Sequence, residues 1–136
     1  MKLSIIIPCF NEEKTIELIF QKVSKFTSIE KEIIIIDDCS FDSTAKIIEK
    51  IVKDNKHVKT ITHDQNLGKG AALRSGIKIA TGDIILIQDA DLEYDPADYD
   101  KLLEPFFKTN AEVVYGSRVR GGGYVRIHFF WHSLAN

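Results

Sequence analysis

The chain has 136 residues, 44% of them hydrophobic and 28% charged, so it is long enough to bury the core of one domain. Its 18 basic and 20 acidic residues give a formal charge of −2, which provides no electrostatic footprint for a nucleic-acid binder. The hydrophobic content, with 3 Pro and 8 Gly, excludes a disordered or collagen-like chain, and no apolar run approaches the roughly 20 residues of a membrane span.

The cysteines and the N-terminus indicate the compartment. Cys9 and Cys39 are too few for a disulfide scaffold and lack the CxxC spacing of a zinc site, so we interpret them as small buried hydrophobic residues. Acidic residues closely follow the apolar start, which has no small-residue cleavage site and therefore does not resemble a signal peptide. The sequence predicts a protein of the reducing cytoplasm.

Short β-branched runs alternate along the chain with longer segments that place apolar residues at helical spacing. Asn11 is predicted to cap the first helix and Asp42 the second, while Asp95 and Pro96 open the fourth. Apolar strands separated by helices predict an α/β fold, a mostly parallel sheet with helices on both faces and the third strand near an edge. The predicted strands are residues 3–8, 32–38, 58–63, 83–88 and 112–117, and the predicted helices are residues 11–26, 43–52, 69–80 and 95–107.

The end of the chain differs in composition from the rest. Gly121, Gly122 and Gly123 precede a stretch of mixed aromatic and basic residues. Such a stretch is typical of a segment that packs on a missing C-terminal part or lies at a lipid interface, so we interpret the chain as a fragment. We expect a domain over residues 1–120 and a glycine-hinged tail over residues 121–136. If neither the missing part nor a lipid surface covers the tail, it would bury its aromatic residues against a second copy of the chain.

Acidic residues stand where two of the predicted strands end. Asp37 and Asp38 end the second strand, and Asp89 and Asp91 follow the fourth. The carboxyl ends of parallel strands form the edge at which ligands bind, and clustered carboxylates there are costly without a cation or a function. Alternating carboxylates suit a hard cation such as Mg²⁺ or Mn²⁺, which would bridge to an anionic ligand.

A glycine-containing loop, Asn66-Leu67-Gly68-Lys69-Gly70, precedes the third predicted helix. It matches neither GxxxxGK[ST] nor GxGxxG, so the nucleotide motifs that those patterns represent are absent. Lys69 is a candidate for a phosphate contact or an ordinary solvated residue. His63 ends a strand beside the candidate site, and both a functional and a structural role stay open for it.

Four segments occur in the order seen in the family 2 glycosyltransferases of the GT-A fold. They are IIIPCFNEEKTI, EIIIIDDCSFDSTAKII, HDQNLGKGAALRSGIKIATGDIILIQDADLEYDP and YGSR. The chain resembles above all the branch of dolichyl- and polyprenyl-phosphate mannosyl- or glucosyltransferases. The resemblance implies a Rossmann-like nucleotide-sugar-binding domain and an inverting transfer of a sugar from a GDP- or UDP-sugar to a polyprenyl or dolichyl phosphate, at the cytoplasmic face of a membrane.

The resemblance also implies roles for individual residues. Asp38 would hydrogen-bond the base, and Asp89, Asp91 and Glu93 would hold Mg²⁺ or Mn²⁺ on the diphosphate. Asp91 and Arg118 would contribute to catalysis, with Arg118 facing the diphosphate or the acceptor phosphate. The residues implied to bind the nucleotide are Pro8, Phe10, Glu12, Asp37, Asp38, Lys69 and Asp89.

Two other interpretations stay open at this point. A phosphohydrolase of the haloacid-dehalogenase type would use Asp89 as nucleophile and Asp91 as acid, although those enzymes place DxD after the first strand. A non-catalytic nucleotide-binding or receiver domain would be built around Asp37 and Asp38, although a receiver has its acid pair after the first strand and a lysine after the fifth. Stabilisation by UDP or GDP with Mn²⁺ favours the transferase, and stabilisation by BeF₃⁻ with Mg²⁺ favours the alternatives.

Overall fold

The structure, a computed structural model, describes residues 1–26, 28–109 and 111–116. A 3-10 turn, Pro96–Asp98, directly precedes the last helix. The chain divides into two compact units, Met1–Ala97 and a second unit that begins at Asp98. The elements are β1 (Lys2–Cys9), α1 (Ile16–Lys25), β2 (Glu30–Asp37), α2 (Thr44–Asp54), β3 (Val58–Thr62), α3 (Lys69–Ile79), β4 (Ile84–Ile87) and α4 (Tyr99–Lys108).

The strands of the first unit form a parallel sheet whose order, within the described residues, is β3-β2-β1-β4. The central strands β1 and β2 contain the continuous isoleucine runs 5–7 and 33–36, which are fully buried, as expected for a sheet covered on both faces. The register pairs Cys9 with Asp37 and Asp37 with Thr62, so these three strands end at one level. The predicted α/β fold with a parallel sheet is confirmed, and β3 lies at an edge of the described sheet.

Helix α3 packs very closely on the sheet because it presents small residues to it. Ala72 is fully buried in a cluster with Ile6, Ile34 and Ile36. A Cβ atom on Gly76 would lie 2.6 Å from Ile6 Cγ2, so only glycine fits there without a shift of the isoleucine. This close packing fixes the height of α3 above β1 and therefore the place where the helix begins.

One predicted helix start is wrong, and another is correct except for the type of its first turn. Asn11 does not cap α1: its φ is 56°, its Oδ1 accepts a hydrogen bond from the Phe41 N–H, and α1 begins at Ile16 after an intervening turn. Asp95 Oδ1 accepts a hydrogen bond from the Ala97 N–H at 3.1 Å and Pro96 is the first helical residue, as predicted, but this first turn is a 3-10 turn and the α-helix starts at Tyr99. At α2, the Asp42 Oδ1 does accept a hydrogen bond from the Thr44 N–H, at 2.9 Å.

The predicted fifth strand is wrong over its described part, because residues 112–116 form no strand. The run Val113-Val114-Tyr115 has high β propensity, but a strand also needs a neighbour with which to form a hydrogen-bonded ladder. Ser117, Arg118, the predicted boundary at residue 120 and the tail lie outside the described residues. Among the helices of the described segments, none has the combined length and apolar character needed to cross a bilayer.

Candidate functional site

The loops at the carboxyl edge of the sheet share an unusual backbone conformation. Asn11 after β1, Cys39 after β2 and Leu92 after β4 have φ angles of 56°, 64° and 66°, and Gly68 before α3 has a φ of 83°. The left-handed region costs a non-glycine residue about 1 kcal/mol or more, and such strain persists mainly where a function requires it. The strain therefore makes this edge the candidate functional face of the unit.

Hydrogen bonds tie the loop after β1 to the loop after β2. The Asn11 N–H donates to Ser40 Oγ at 2.9 Å, and the Phe41 N–H donates back to Asn11 Oδ1 at 3.0 Å. One residue further, the Glu12 N–H donates to Thr44 Oγ1 at 2.8 Å. The reciprocal bonds hold Asn11 in its strained conformation and make the two loops one rigid wall of the site.

The same wall carries an exposed aromatic pair. The Phe10 and Phe41 rings meet edge to face with their centroids 5.7 Å apart, and Phe41 is 84% exposed. The predicted nucleoside-lining residues Pro8, Phe10 and Glu12 thus occupy one stretch at the end of β1. Their contact with a nucleoside stays a prediction.

Asp37 ends β2 with a carboxylate that is only partly satisfied. It is 1% exposed, its Oδ1 accepts a hydrogen bond from the Ser40 N–H at 3.1 Å, and its buried Oδ2 has no partner among the described residues. Burial raises the pKa of the neighbouring Cys9 thiol, and the charges of Glu12 and Asp37 raise it further. An unpaired buried acceptor is costly, so the Asp37 Oδ2 marks a position where a ligand donor or a water would be stabilising.

Asp38 is nearly as buried, at 3% exposure, but its carboxylate is well engaged. Its Oδ1 lies 2.6 Å from His63 Nδ1 and accepts from the Leu67 N–H at 3.0 Å, while its Oδ2 accepts from the Gly68 N–H at 2.7 Å. Burial alone would raise the pKa of Asp38, but these hydrogen bonds and the nearby His63 hold it below its ordinary value. One acceptor position remains on Oδ2, so the predicted contact with a base stays a prediction.

The start of α3 is joined to the loop after β4 by an ion pair. Lys69 Nζ lies 2.6 Å from Asp89 Oδ1, with the lysine side chain 56% exposed and the aspartate 21% exposed. Two residues further, Asp91 Oδ1 accepts a hydrogen bond from the Glu93 N–H at 3.0 Å, and both of these side chains are exposed. The structure therefore brings predicted phosphate-contacting and metal-binding residues to one place.

The DxD segment fits a cation that shares its ligands with a substrate. Within the described segments, no three His, Cys, Asp or Glu side chains gather as a complete metal site. Mg²⁺ is commonly held by one or two carboxylates together with substrate phosphates, and Asp89 and Asp91 supply the hard oxygen donors of such a site. The assignment of Asp89, Asp91 and Glu93 as metal ligands stays a prediction.

Sequence reasoning missed the residues that shape the loops. Gln88 is 1% exposed, and its Nε2 donates to the carbonyls of Asp89 and Tyr94 at 2.9 and 3.2 Å, which closes the loop that carries the DxD segment. Ser75 on α3 contacts His63, whose role the sequence left open. A polar residue that ends an otherwise apolar strand is the signal that would have found Gln88. Arg118 lies outside the described residues.

These observations define a class of protein: an α/β domain with a polar ligand site at the carboxyl edge of a parallel sheet. The model of the family described as Glycosyl transferase family 2 matches residues 4–130. The chain therefore belongs to the family 2 glycosyltransferases.

Named relatives agree with this assignment. The chain is 33% identical over 135 residues to the dolichol-phosphate mannosyltransferase of Pyrococcus furiosus, covering 98% of this chain and 38% of that protein. Among solved structures, S. aureus TarS 1–349 in complex with UDP-GlcNAc has a TM-score of 0.69 and 26% identity, covering 91% of this chain and 37% of that one. The mannosyltransferase PcManGT from Pyrobaculum calidifontis, in complex with GDP-Man and Mn²⁺, has a TM-score of 0.60 and 25% identity, covering 65% and 27%.

Proposed function

We propose that the chain is the donor-binding part of an inverting glycosyltransferase that takes a sugar from a GDP- or UDP-sugar and transfers it to a polyprenyl or dolichyl phosphate. The observation that carries the proposal is the contact of Lys69 Nζ with Asp89 Oδ1, at 2.6 Å, beside the exposed Asp91. A lysine and two carboxylates at the strand ends suit a diphosphate that is bound together with a cation.

The base of the donor would lie on the side of the site formed by β2. Asp38 has one acceptor position left, and the Asp37 Oδ2 is buried without a partner in the described segments. A ring N–H of uracil or guanine is a donor that such a carboxylate would select, because a mismatched base leaves a buried acceptor unpaired. The complexes of TarS with UDP-GlcNAc and of PcManGT with GDP-Man support a nucleotide-sugar donor, and they are compatible with either uracil or guanine as its base.

Asp89 and Asp91 would hold a divalent cation, with Glu93 close by, and the cation would supply positive charge that makes the diphosphate a better leaving group. The Mn²⁺ in the PcManGT complex supports this assignment. Lys69 pairs with Asp89, which lowers the repulsion between that carboxylate and an anionic donor. Its ammonium group can also donate to a phosphate oxygen, because it has three hydrogens.

The reaction would exchange one bond at the anomeric carbon for another. An oxygen of the acceptor phosphate attacks that carbon from the face opposite the diphosphate, and the bond to the diphosphate breaks with its electron pair leaving on the nucleoside diphosphate. A lipid phosphate is already anionic, so it needs no general base. Similarity to a dolichol-phosphate mannosyltransferase supports this acceptor, although the chain spans 38% of the length of that relative.

The tail would serve the acceptor side. The aromatic and basic residues after Gly123 suit lipid headgroups or a further segment of the protein, which would bring the domain to the cytoplasmic face of a membrane. The 136-residue chain cut after Gly122 should keep its nucleotide affinity and lose any binding to anionic liposomes or to a second copy. Loss of nucleotide affinity in the shortened chain would contradict the boundary proposed at residue 120.

Neither alternative function gains an observation in its favour. The DxD segment follows β4, whereas a haloacid-dehalogenase phosphohydrolase has it after the first strand. The acid pair Asp37 and Asp38 lies at the end of β2, whereas a receiver has its acid pair after the first strand. The family to which the chain belongs is the transferase family.

A thermal-shift panel tests the proposal. UDP and GDP, each with Mn²⁺ or Mg²⁺, should raise the melting temperature of the chain, because a ligand that binds only the folded state stabilises it by mass action. AMP with the same cations and BeF₃⁻ with Mg²⁺ are the controls and should have no effect. Stabilisation by BeF₃⁻, or none by either nucleoside diphosphate, would contradict the proposed function.

A further inference from the structure

His63 forms a bridge that neither the family match nor the proposed donor contacts explain. It follows β3, its side chain is 9% exposed, and its two ring nitrogens both have partners: Nδ1 lies 2.6 Å from Asp38 Oδ1, and Nε2 lies 2.9 Å from Ser75 Oγ. An ionised carboxylate can only accept, so Nδ1 carries the hydrogen in this contact. The ring therefore joins the end of β2 to the second turn of α3.

The bridge holds the loop that leads into α3. The His63 N–H donates to the Asp37 carbonyl at 2.9 Å, which fixes one end of the loop on β2. At the other end, the N–H groups of Leu67 and Gly68 donate to Asp38, the carboxylate that His63 contacts. The residues between, 64–66, are exposed, and an open pocket of about 320 Å³ is lined by Thr62, His63, Asp64, Gln65 and Leu67. The Asp38 carboxylate therefore holds the loop at two amides, alongside the Asn66 Oδ1 contact with the Gly68 N–H at 3.1 Å and the Cys39 Sγ contact with the Asp64 carbonyl at 3.6 Å.

The orientation of that carboxylate depends on its own partners. Without the ring, the Asp38 carboxylate would keep the Leu67 and Gly68 N–H groups but lose its contact on the side of β3, so rotation about its side-chain bonds would become easier. Rotation would loosen Gly68, whose φ of 83° already departs from ordinary backbone, and Lys69 is the next residue. A change at His63 would therefore reach Lys69, six residues away along the chain.

We propose that His63 is a positioning residue, which fixes the Asp38 carboxylate and through it the loop that places Lys69 against the diphosphate of the donor. The identity of the ligand in this inference rests on the proposed function, whereas the effect of His63 on the conformation of the loop is independent of it. His63 itself touches neither the diphosphate nor the sugar in this scheme.

The same three side chains, Asp38, His63 and Ser75, are the constituents of a hydrolase triad. Ser75 lies inside α3, Lys69–Ile79, where the backbone N–H groups around it are used by the helix. They cannot form the oxyanion hole that acyl transfer needs at its nucleophile. The arrangement therefore suits a structural contact between the two elements, and Ser75 is not placed as a nucleophile.

Four variants of the full 136-residue chain test the proposal. His63→Asn places an amide N–H near the position of Nδ1 and keeps the bond to Asp38, whereas His63→Gln reaches toward Ser75 and loses that bond. Ser75→Ala removes only the second contact. His57→Ala is the matched control, because His57 is exposed and directly precedes the same strand at its other end.

The first readout is amide hydrogen exchange of residues 64–70, which requires no ligand. In His63→Gln, exchange there should rise about tenfold, the effect expected when a hydrogen bond to a charged group is lost. His63→Asn and His57→Ala should stay near wild type. Equal exchange in the Asn and Gln variants would overturn the proposal.

The second readout is the affinity for UDP and GDP with Mn²⁺, measured by calorimetry. His63→Gln should bind about tenfold more weakly than wild type, whereas His63→Asn should bind within about threefold of wild type, because only the asparagine keeps the bond to Asp38. If the wild-type chain binds neither nucleotide, the proposed function fails while the exchange experiment still decides the role of His63. If His63→Gln binds as tightly as wild type, the proposed function stands and the role of His63 is wrong. Should His63→Gln fail to fold, His63→Asn decides the role of His63, and a loss of affinity in a folded His63→Asn chain would overturn the proposal.

Discussion

The two ends of the parallel sheet both bury a carboxylate, but they treat it differently. At the amino edge, Glu32 is 3% exposed, and its Oε1 accepts hydrogen bonds from Ser4 Oγ and from both the N–H and the hydroxyl of Thr81, at 2.6, 2.6 and 2.9 Å. Its Oε2 lies 2.8 Å from Lys59 Nζ and 3.4 Å from Lys2 Nζ. At the carboxyl edge, Asp37 keeps one buried oxygen without a partner in the described segments.

The backbone follows the same division. At the carboxyl edge, Asn11, Cys39 and Leu92 are strained, whereas the chain at the amino edge is joined to β1 by regular bonds. There the Gly82 N–H donates to Ser4 Oγ at 2.9 Å, and the Asp83 N–H donates to the Lys2 carbonyl at 2.8 Å. Burial of charge alone therefore does not mark a site. The amino edge satisfies its buried carboxylate and stabilises the fold, whereas the strained and partly unsatisfied carboxyl edge is the candidate ligand site.

The largest expected effect on stability comes from Glu32→Gln at the amino edge. An amide cannot pair with two lysines and leaves at least one buried donor with a poorer partner, so we expect a loss of about 2–3 kcal/mol in the free energy of unfolding. Denaturation in urea measures it, with Glu30→Gln, an exposed change on the same strand, as the control. Altered nucleotide affinity in a folded Glu32→Gln chain would contradict the view that the amino edge contributes to stability and not to binding.

Two glycines, Gly82 at the amino edge and Gly68 at the carboxyl edge, test the difference between the two edges by substitution. A Cβ on Gly82 would lie 2.7 Å from the Ser4 backbone nitrogen and 2.8 Å from the Lys2 carbonyl oxygen, so Gly82→Ala should cost about 2 kcal/mol. Gly68 has open space around it, but its φ of 83° and ψ of 161° lie in a region that essentially only glycine adopts, so Gly68→Ala should cost about 1–2 kcal/mol through backbone strain. Only the second change should weaken nucleotide binding, and the opposite pattern in urea denaturation and calorimetry would contradict the account.

Acid should weaken the amino edge through Glu32. Burial by itself would raise the pKa of Glu32, but hydrogen bonds from Lys59, Ser4 and Thr81 outweigh it and hold the pKa far below the ordinary value of 4.5. The stabilisation is therefore complete above that value and is lost as the pH falls below it. The advantage of wild type over Glu32→Gln should shrink between about pH 5 and pH 3, and a constant difference would contradict the pairing.

The smallest expected effect on stability is that of Lys69→Met. Lys69 is 56% exposed, so its pair with Asp89 contributes less than about 1 kcal/mol to the fold. Its contribution to binding should be larger, because the ammonium group would face a diphosphate. Calorimetry at low and high salt should show weaker binding by the variant and a smaller salt dependence than in wild type. Unchanged affinity would remove Lys69 from the donor site.

The sequence predicted the central sheet because burial on both faces requires continuous apolar runs, as in the isoleucines of β1 and β2. It failed where a distant partner decides the conformation. Asn11 has the residue type of an N-cap, yet its bond with the Phe41 N–H, 30 residues away, holds it in the left-handed region. Residues 112–116 have strand propensity but form no strand, because propensity does not supply a neighbour.

The acidic residues of the candidate site could be predicted from the sequence, but the contacts that hold them in place could not. Asp37 ends β2, Asp38 follows it, and Asp89 and Asp91 follow β4, so topology alone brings them to one edge. The bond between His63 and Ser75 joins residues 12 apart on different elements, and no local pattern encodes it. The unpaired oxygen of Asp37 likewise depends on the closed packing around β2, which only the structure shows.

The most direct test of the account is the metal dependence of nucleotide binding in Asp91→Ala. Asp91 is exposed, so the variant should fold as wild type does, with Asp54→Asn on α2 as an exposed control. Wild type should bind UDP or GDP about tenfold or more tightly with Mn²⁺ than with EDTA, and Asp91→Ala should show nearly the same weak affinity in both conditions. A variant that keeps the full gain from Mn²⁺ would contradict the claim that the carboxyl edge of this sheet binds the donor through its DxD carboxylates.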